Sequence, residues 1–370
     1  MFFDWCEEKR IVFLIGAGGS SPFIKDLTTK YLTDAILDPN KWKNIIFKFK
    51  EKAKSGSYLR NIEECDVMQV IFKIKCLLNS SSYSQNLNFE YIIHLLDKVS
   101  VYYLSHDLSE ISNIDTLLLS FFTKYQNPYR NNLAYFDLSH PDGWKYVPVL
   151  AREIIVDAIL ELWKPESCEI KEAKSIIRDF FCKKIKSTFK YINIYTLNYD
   201  PLLYESLKDC YDDSTKCDFK TGFELLTEDR KKFVRDVFIN SNRTLAFLHG
   251  YVGFIPTQSI GDLEFSDNYM DAQEERLKRF VDEDMNWTNS VSKGLHYNVY
   301  ITTGLDKIDT FSVNPFASYI HKFAIDISKA DFIVIIGTSF TDNHINTFLV
   351  NSTAFTRGKI IIVTKNKEEL

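Results

Sequence analysis

Short, continuous apolar runs recur along this chain, and most of them end on a small or polar residue. The first is Ile11 to Gly16 within "RIVFLIGAGGSS" (10–21). It is followed by "YINIYTLN" (191–198), "TLAFLHG" (244–250), "YNVYITTG" (297–304), "DFIVIIGTSF" (331–340) and "KIIIVT" (359–364). Runs of this length without polar alternation predict strands covered on both faces, as in a parallel sheet. Amphipathic segments stand between several of them. In "NPFASYIHKFAIDISKAD" (314–331) Asn314 is expected as N-cap and Pro315 at the first helical position. The alternation predicts an α/β fold: a Rossmann-like, largely parallel sheet of about six strands with flanking helices.

Between the first run and the second the rhythm changes to a helical period. "IEECDVMQVIFKIKCLL", "FEYIIHLLDKVSVYYL", "IDTLLLSFFTKY", "VPVLAREIIVDAILELW" and "EAKSIIRDFFCKKIKSTFKYI" all fall there. Residues 32–188 are therefore expected to form a large helical insertion of five to seven helices, with 1–31 and 189–370 forming the sheet domain. The polar stretch 125–144 is expected as an irregular loop of the insertion, and 255–295, rich in Asp, Glu, Asn and Ser, as a mobile surface excursion.

Composition adds limits. A 370-residue chain with 45% hydrophobic and 26% charged residues is ordinary for a soluble globular protein, and 29 Phe and 20 Tyr supply a sizeable core. No apolar run approaches the ~20 residues of a membrane span. The start "MFFDWCEEKR" lacks the features of a secretory signal, so a cytoplasmic protein is expected. A net charge of −5 speaks against direct nucleic-acid binding. The local cluster of six lysines in "KWKNIIFKFKEKAK" (41–54) reads as a solvated helix face around an apolar stripe. The seven cysteines are scattered, with no C-x-x-C pair, which predicts free, mostly buried thiols and no zinc module.

Candidate chemistry sits where the predicted strands end. Gly16-Ala17-Gly18-Gly19-Ser20-Ser21 is a glycine-rich turn between a first strand and a helix, the place where backbone amides approach a pyrophosphate. The third glycine of the dehydrogenase fingerprint is absent, and a tight strand-to-helix turn would look the same. Thr196, Asn198 and Asp200 close the second run, with Thr196 and Asn198 on one side of the strand. His249 and Gly250 close the third. Asp200 also has a capping role open to it ahead of Pro201. Asp342 and His344 lie where Thr341 or Asp342 can cap a helix, and the spacing offers no further ligand for a metal.

In order along the chain, GAG-S, T-NYD, HG and G-SF resemble the sirtuin (silent information regulator) family, and most closely the sirtuin-like NAD hydrolases of bacterial anti-phage defence. "NFEYIIHLL" (88–96), "TGLDKIDTFSVNPF" (303–316) and the G-x-S-F-x-D-x-H-I pattern of "KADFIVIIGTSFTDNHIN" (329–346) are similar to segments of that group. Protein-deacylating sirtuins carry a zinc module with paired C-x-x-C motifs. Here the helical insertion stands in its place.

The resemblance implies NAD+ as substrate, no metal, and cleavage of NAD+ to nicotinamide and ADP-ribose as an NAD-depleting defence effector. It implies Asn198 and His249 as catalytic residues, with Asp200 supporting them. Gly16, Ala17, Gly18 and Ser20 would hold the pyrophosphate, and Thr196 and Gly250 would also bind the dinucleotide. Gly337, Thr338 and Ser339 would hold the adenosine half, and Asp342 would also contact the dinucleotide. It further implies control by homo-oligomerisation or by a partner such as a HerA-type ATPase or an Argonaute-type protein. The chain ends shortly after its last predicted strand, leaving room for a further sensor domain in a longer protein. Two alternatives stay open: an NAD or ADP-ribose sensor without turnover, and a protein deacylase or ADP-ribosyltransferase.

Overall fold

The computed structural model describes residues 9–52, 64–80, 88–105, 146–208, 211–212, 215–216, 219–227, 230–257, 262–282, 300–302, 313–353 and 359–364. The strands are β1 (Arg10–Ile15), β2 (Tyr191–Thr196), β3 (Tyr211–Asp212), β4 (Thr215–Lys216), β5 (Phe223–Leu225), β6 (Lys231–Phe233), β7 (Arg243–Phe247), β8 (Phe254–Pro256), β9 (Leu263–Phe265), β10 (Phe332–Ile336) and β11 (Lys359–Val363). The early helices are α1 (Ala17–Ser20), α2 (Thr29–Leu37), α3 (Pro39–Lys52), α4 (Glu64–Ser80) and α5 (Phe89–Ser105). Then come α6 (Val147–Leu162), α7 (Cys168–Arg178), α8 (Leu202–Leu207), α9 (Arg235–Ile239), α10 (Tyr269–Asp282), α11 (Phe316–Lys329) and α12 (Asn343–Thr353).

Five strands form one parallel sheet in the order β11-β10-β1-β2-β7. The continuous apolar runs are explained by cover on both sides. Leu14 pairs with Tyr195 and Phe13 with Ile194, so Phe13 and Tyr195 face opposite ways. Phe13 meets Phe181 edge-on at 4.9 Å, on the π-helical segment Asp179–Ile185 that continues α7. On the other face Tyr195 meets Phe323 of α11 at 4.8 Å, and its hydroxyl donates to Asp326 at 2.6 Å. Edge strand β11 is the exception: Ile360, Ile361, Ile362 and Val363 remain 39–48% exposed.

The expected sixth strand at 297–304 falls mostly outside the described residues. Its described part, Tyr300–Thr302, makes only an isolated antiparallel bridge from Ile301 to Gly250 and does not join the sheet. The region 255–295 is corrected as well. Where described it is a structured element: β8 and β9 complete a four-stranded antiparallel sheet β5-β6-β9-β8, and α10 packs on α3, α6 and β8. Its acidic and basic residues mask an apolar stripe in which Phe265, Ala272, Leu277 and Phe280 are buried. Helix α11 begins at Phe316, one residue later than the capping pattern predicts, with Pro315 at the N-cap, and Asn314 accepts a hydrogen bond from the Ser318 hydroxyl at 2.7 Å.

Between β1 and β2 every described element is helical. Helix α3 buries Trp42, Ile45, Ile46 and Phe49, while Lys41, Lys48 and Lys52 pair with Glu161, Asp157 and Glu274. The basic cluster is thus a solvated, ion-paired face. Two adjacent residues of α6 clamp the helices to the rest. Arg152 forms a two-point pair with Asp97 of α5 (2.9 and 2.8 Å), and its Nε donates to the Ile301 carbonyl. Glu153, fully buried, receives Arg276 of α10 at 2.6 Å, and Arg276 also donates to the carbonyls of Val252 and Phe254. The expected loop at 125–144 and the helical pattern "IDTLLLSFFTKY" lie outside the described residues. Cys76 and Cys168 are free, but Cys168 is exposed and Cys182 is disulfide-bonded, against the expectation of buried free thiols. Scattered spacing in sequence gives no hint of such a pairing.

No helix among the described residues is long and apolar enough to cross a membrane.

Candidate functional site

The sheet order places a topological switch point at the carboxyl ends of β1 and β10: the chain leaves β1 toward β2 and β7, and leaves β10 toward β11. In open α/β sheets ligands bind in the crevice at such a point. The predicted strand-end residues gather here, each with a definable local role.

Gly16 and Gly18 on the β1 turn abut Gly337 and Thr338 at the end of β10. A Cβ on Gly16 would lie 2.7 Å from the Gly337 carbonyl, and one on Gly18 would lie 2.8 Å from the Gly337 Cα. Gly337 itself has φ +60, and a Cβ there would meet the Gly18 carbonyl carbon at 2.3 Å. The Gly16 amide donates to Ile336 and the Gly18 amide to Gly337, both at 2.9 Å. Glycine at these three positions is therefore required by the contact between the two loops, independently of any ligand. Ala17 and Ser20 bound the four-residue helix α1.

Ser20 is buried and links two predicted residues. Asn198 Nδ2 donates to the Ser20 hydroxyl oxygen at 2.7 Å, and a hydrogen bond from Ser20 supports the Asp200 carboxylate. Asn198 is 8% exposed, and its Oδ1 is buried with no hydrogen-bond partner. A buried amide oxygen left unpaired costs about 1–3 kcal/mol, so this atom marks a place where a polar ligand group would be stabilising. Asp200 accepts from the Leu202 amide at 3.0 Å, but the N-cap position of α8 falls on Pro201, one residue beyond the cap its position suggests. Burial pushes its carboxyl up to about 6, against the opposing hydrogen bonds from Leu202 and Ser20. Thr196 donates to the Ile15 carbonyl and accepts from the Asn198 amide at 3.0 Å, so its hydroxyl shapes the strand end.

His249, at the end of β7, is 4% exposed. Its carbonyl accepts from the Thr302 amide at 2.7 Å. Gly250 follows with φ +99, where a Cβ would meet the Tyr300 carbonyl at 2.2 Å. The His249 Nε2 lies 2.7 Å from Asp342 Oδ2, and Asp342 Oδ1 lies 2.5 Å from His344 Nε2. Asp342 holds the N-cap position of α12 through its backbone, its carbonyl accepting from the Asn346 amide at 2.9 Å. Its side chain instead stands between two imidazoles. The spacing of Asp342 and His344 offers no third ligand, but folding supplies His249, and the ligating atoms of the three lie within 4.8 Å of one another. Thr338 has a buried hydroxyl without a hydrogen-bond partner, whereas Ser339 is exposed and shares a hydrogen bond with Thr341 at 2.8 Å.

Tyr199 ties the site to the helical region. Its hydroxyl lies 3.0 Å from the Thr302 carbonyl and 3.3 Å from Glu90 Oε1, and its ring centroid is 6.5 Å from that of His249. Burial, with Glu90 and Asp342 nearby, holds the phenol well above its ordinary range. Glu90 belongs to the "NFE" start of α5, where Asn88 accepts from the Tyr91 amide at 3.0 Å. Glu90, Tyr199 and Thr302 are thus additions to the predicted set, and His344, singled out beside Asp342, joins it through their shared contact. "NFE" and "T-NYD" were visible as motifs, but nothing in sequence couples one to the other.

A scan against protein-family models gives no match, and a search of curated proteins gives none.

Proposed function

We propose that this chain is an NAD+ glycohydrolase of the sirtuin-like kind its motifs resemble. The observation that carries the reading is Asn198: a buried, unpartnered amide oxygen at the switch point, on the strand end next to that of His249. In the proposed reaction the C1′–N bond of the nicotinamide riboside breaks and its electron pair neutralises the pyridinium nitrogen. The leaving group therefore needs no acid, and the positive charge passes to an oxocarbenium-like C1′. Water adds its oxygen to C1′ and yields a proton. Asn198 Oδ1 holds the ribose or the incoming water. His249 accepts the proton, near neutral pH a task suited to imidazole. Asp342, 2.7 Å from Nε2, orients the ring so that the second ring nitrogen serves as base. The products are nicotinamide, ADP-ribose and a proton.

In this reading Asp200 braces Ser20, which fixes the amide of Asn198. The loops at 16–20 and 337–339 flank the remainder of the dinucleotide. Depletion of NAD+ would be harmful to the host cell, so restraint by assembly or by a partner belongs to the same proposal, with antiviral defence as its setting.

Incubation with NAD+ in H2(18)O tests the reading. Hydrolysis places one labelled oxygen on C1′ of free ADP-ribose, and Asn198→Ala abolishes it. ADP-ribose attached to protein, or binding of NAD+ without any product, would replace the proposal with a transferase or a sensor.

A further inference from the structure

Two imidazoles and one carboxylate form the densest group of ligating side chains among the described residues. They come from separate parts of the fold, His249 from the end of β7 and Asp342 and His344 from the start of α12. His249 is 4% exposed, and the side chains of Asp342 and His344 are 12% and 13% exposed. Each ring presents Nε2 to a different oxygen of the one carboxylate. A four-coordinate ion with bonds of about 2.0–2.1 Å needs ligand atoms roughly 3.4 Å apart, a spacing that the observed separations, 2.5 Å at the shortest and 4.8 Å at most, bracket. Three protein ligands of N and O type leave a fourth position open, the pattern of a metal centre accessible to a small ligand. Thr302, whose amide donates to the His249 carbonyl, has a fully buried hydroxyl with no hydrogen-bond partner.

We infer that His249, Asp342 and His344 form a binding site for one divalent transition-metal ion of the zinc class. The softness of the set favours such an ion over magnesium or calcium, which take oxygen ligands. The consequence for turnover rests on the glycohydrolase reading. An ion bound at Nε2 of a neutral imidazole leaves the proton on Nδ1, and the ring then has no lone pair with which to accept another. Metal loading and general-base action by His249 therefore exclude each other. The ion acts as a brake on this site.

The test uses the full chain, freed of metal with a chelator and titrated with ZnCl2 by calorimetry and by metal analysis after dialysis. Wild type is expected to retain one equivalent, and His344→Ala to bind about 100-fold more weakly, with Asp342→Asn also weakened and both variants matching the wild-type circular dichroism. Cobalt(II) substitution should give a visible spectrum of nitrogen and oxygen ligation. An intense near-ultraviolet thiolate band would place the ion on a free cysteine and overturn the site. No stoichiometric zinc, or equal affinity in His344→Ala and Asp342→Asn, would overturn it too and leave the histidines simply sharing Asp342. For the brake, one equivalent of zinc should lower nicotinamide release at least tenfold and chelator should restore it; unchanged release by zinc-loaded protein would overturn that part. Zinc binding with no nicotinamide in either state would uphold the site while removing the glycohydrolase reading.

Discussion

At the scale of single residues, the polar strand ends have more than one cause. Sequence suggested Asp200 as a cap because Pro201 follows it; the N-cap falls on Pro201 instead, and Asp200, one residue earlier, accepts from the Leu202 amide. Its burial was not legible, since nothing in "NYDP" shows that Ser20, itself bonded to Asn198, hydrogen-bonds the carboxylate. The folded carboxyl, near pH 6, lies above its unfolded value of about 3.9. The folded protein therefore prefers the protonated acid, and this contribution is complete below about pH 4 and is lost as pH rises through 6. Two pH units correspond to roughly 3 kcal/mol at most. Asp200→Asn keeps the accepting oxygen without the charge. Melting temperatures across pH 4–8 should show the variant gaining on wild type as pH rises, with no gain at pH 4; parallel profiles would mean the carboxylate is well solvated. Gly337 makes a second residue-scale case. The family resemblance offered it as a glycine at the adenosine half, whereas its φ of +60 and the backbone of Gly18 already demand it. Gly337→Ala is expected to cost at least about 2 kcal/mol in urea unfolding, because strain and overlap add. A neutral result would show that the two loops are not packed as described.

At the scale of elements, apolar periodicity identified the five sheet strands; in β1, β2, β7 and β10 the run reflects burial, while edge strand β11 keeps the same pattern although it stays exposed. Periodicity failed in the described part of 255–295, residues 255–257 and 262–282, where charges concealed ordered structure. Arg276 is the clearest reason. A fully buried arginine in a stretch of acids and amides looks solvated in sequence, yet it binds Glu153 and two carbonyls. Removing one partner of such a pair leaves a buried charge, at a cost of about 3–5 kcal/mol. Arg276→Ala should lower the urea midpoint accordingly, while the double replacement Arg276→Met with Glu153→Leu should cost less than either single change. Additive losses would indicate that the two side chains do not depend on each other. Of 297–304 only Tyr300–Thr302 is described, and these residues contact Gly250 and His249 through their backbone without joining the sheet.

At the scale of the whole molecule, strand order creates a crevice that no local pattern contains. It brings the ends of β1, β2, β7 and β10 together, and so joins Ser20, Asn198, His249 and Asp342 from four distant stretches. The individual residues could be picked out as strand ends; the Asp342 bridge between two histidines could not, since it exists only after folding. The most direct measurement is nicotinamide release from NAD+ by purified wild type, Asn198→Ala and His249→Ala, at protein concentrations spanning self-association. The account predicts release by wild type and a loss of at least about 100-fold in each variant with melting temperature retained. Wild-type release that survives either substitution, or no release at any concentration while NAD+ still binds, would contradict it.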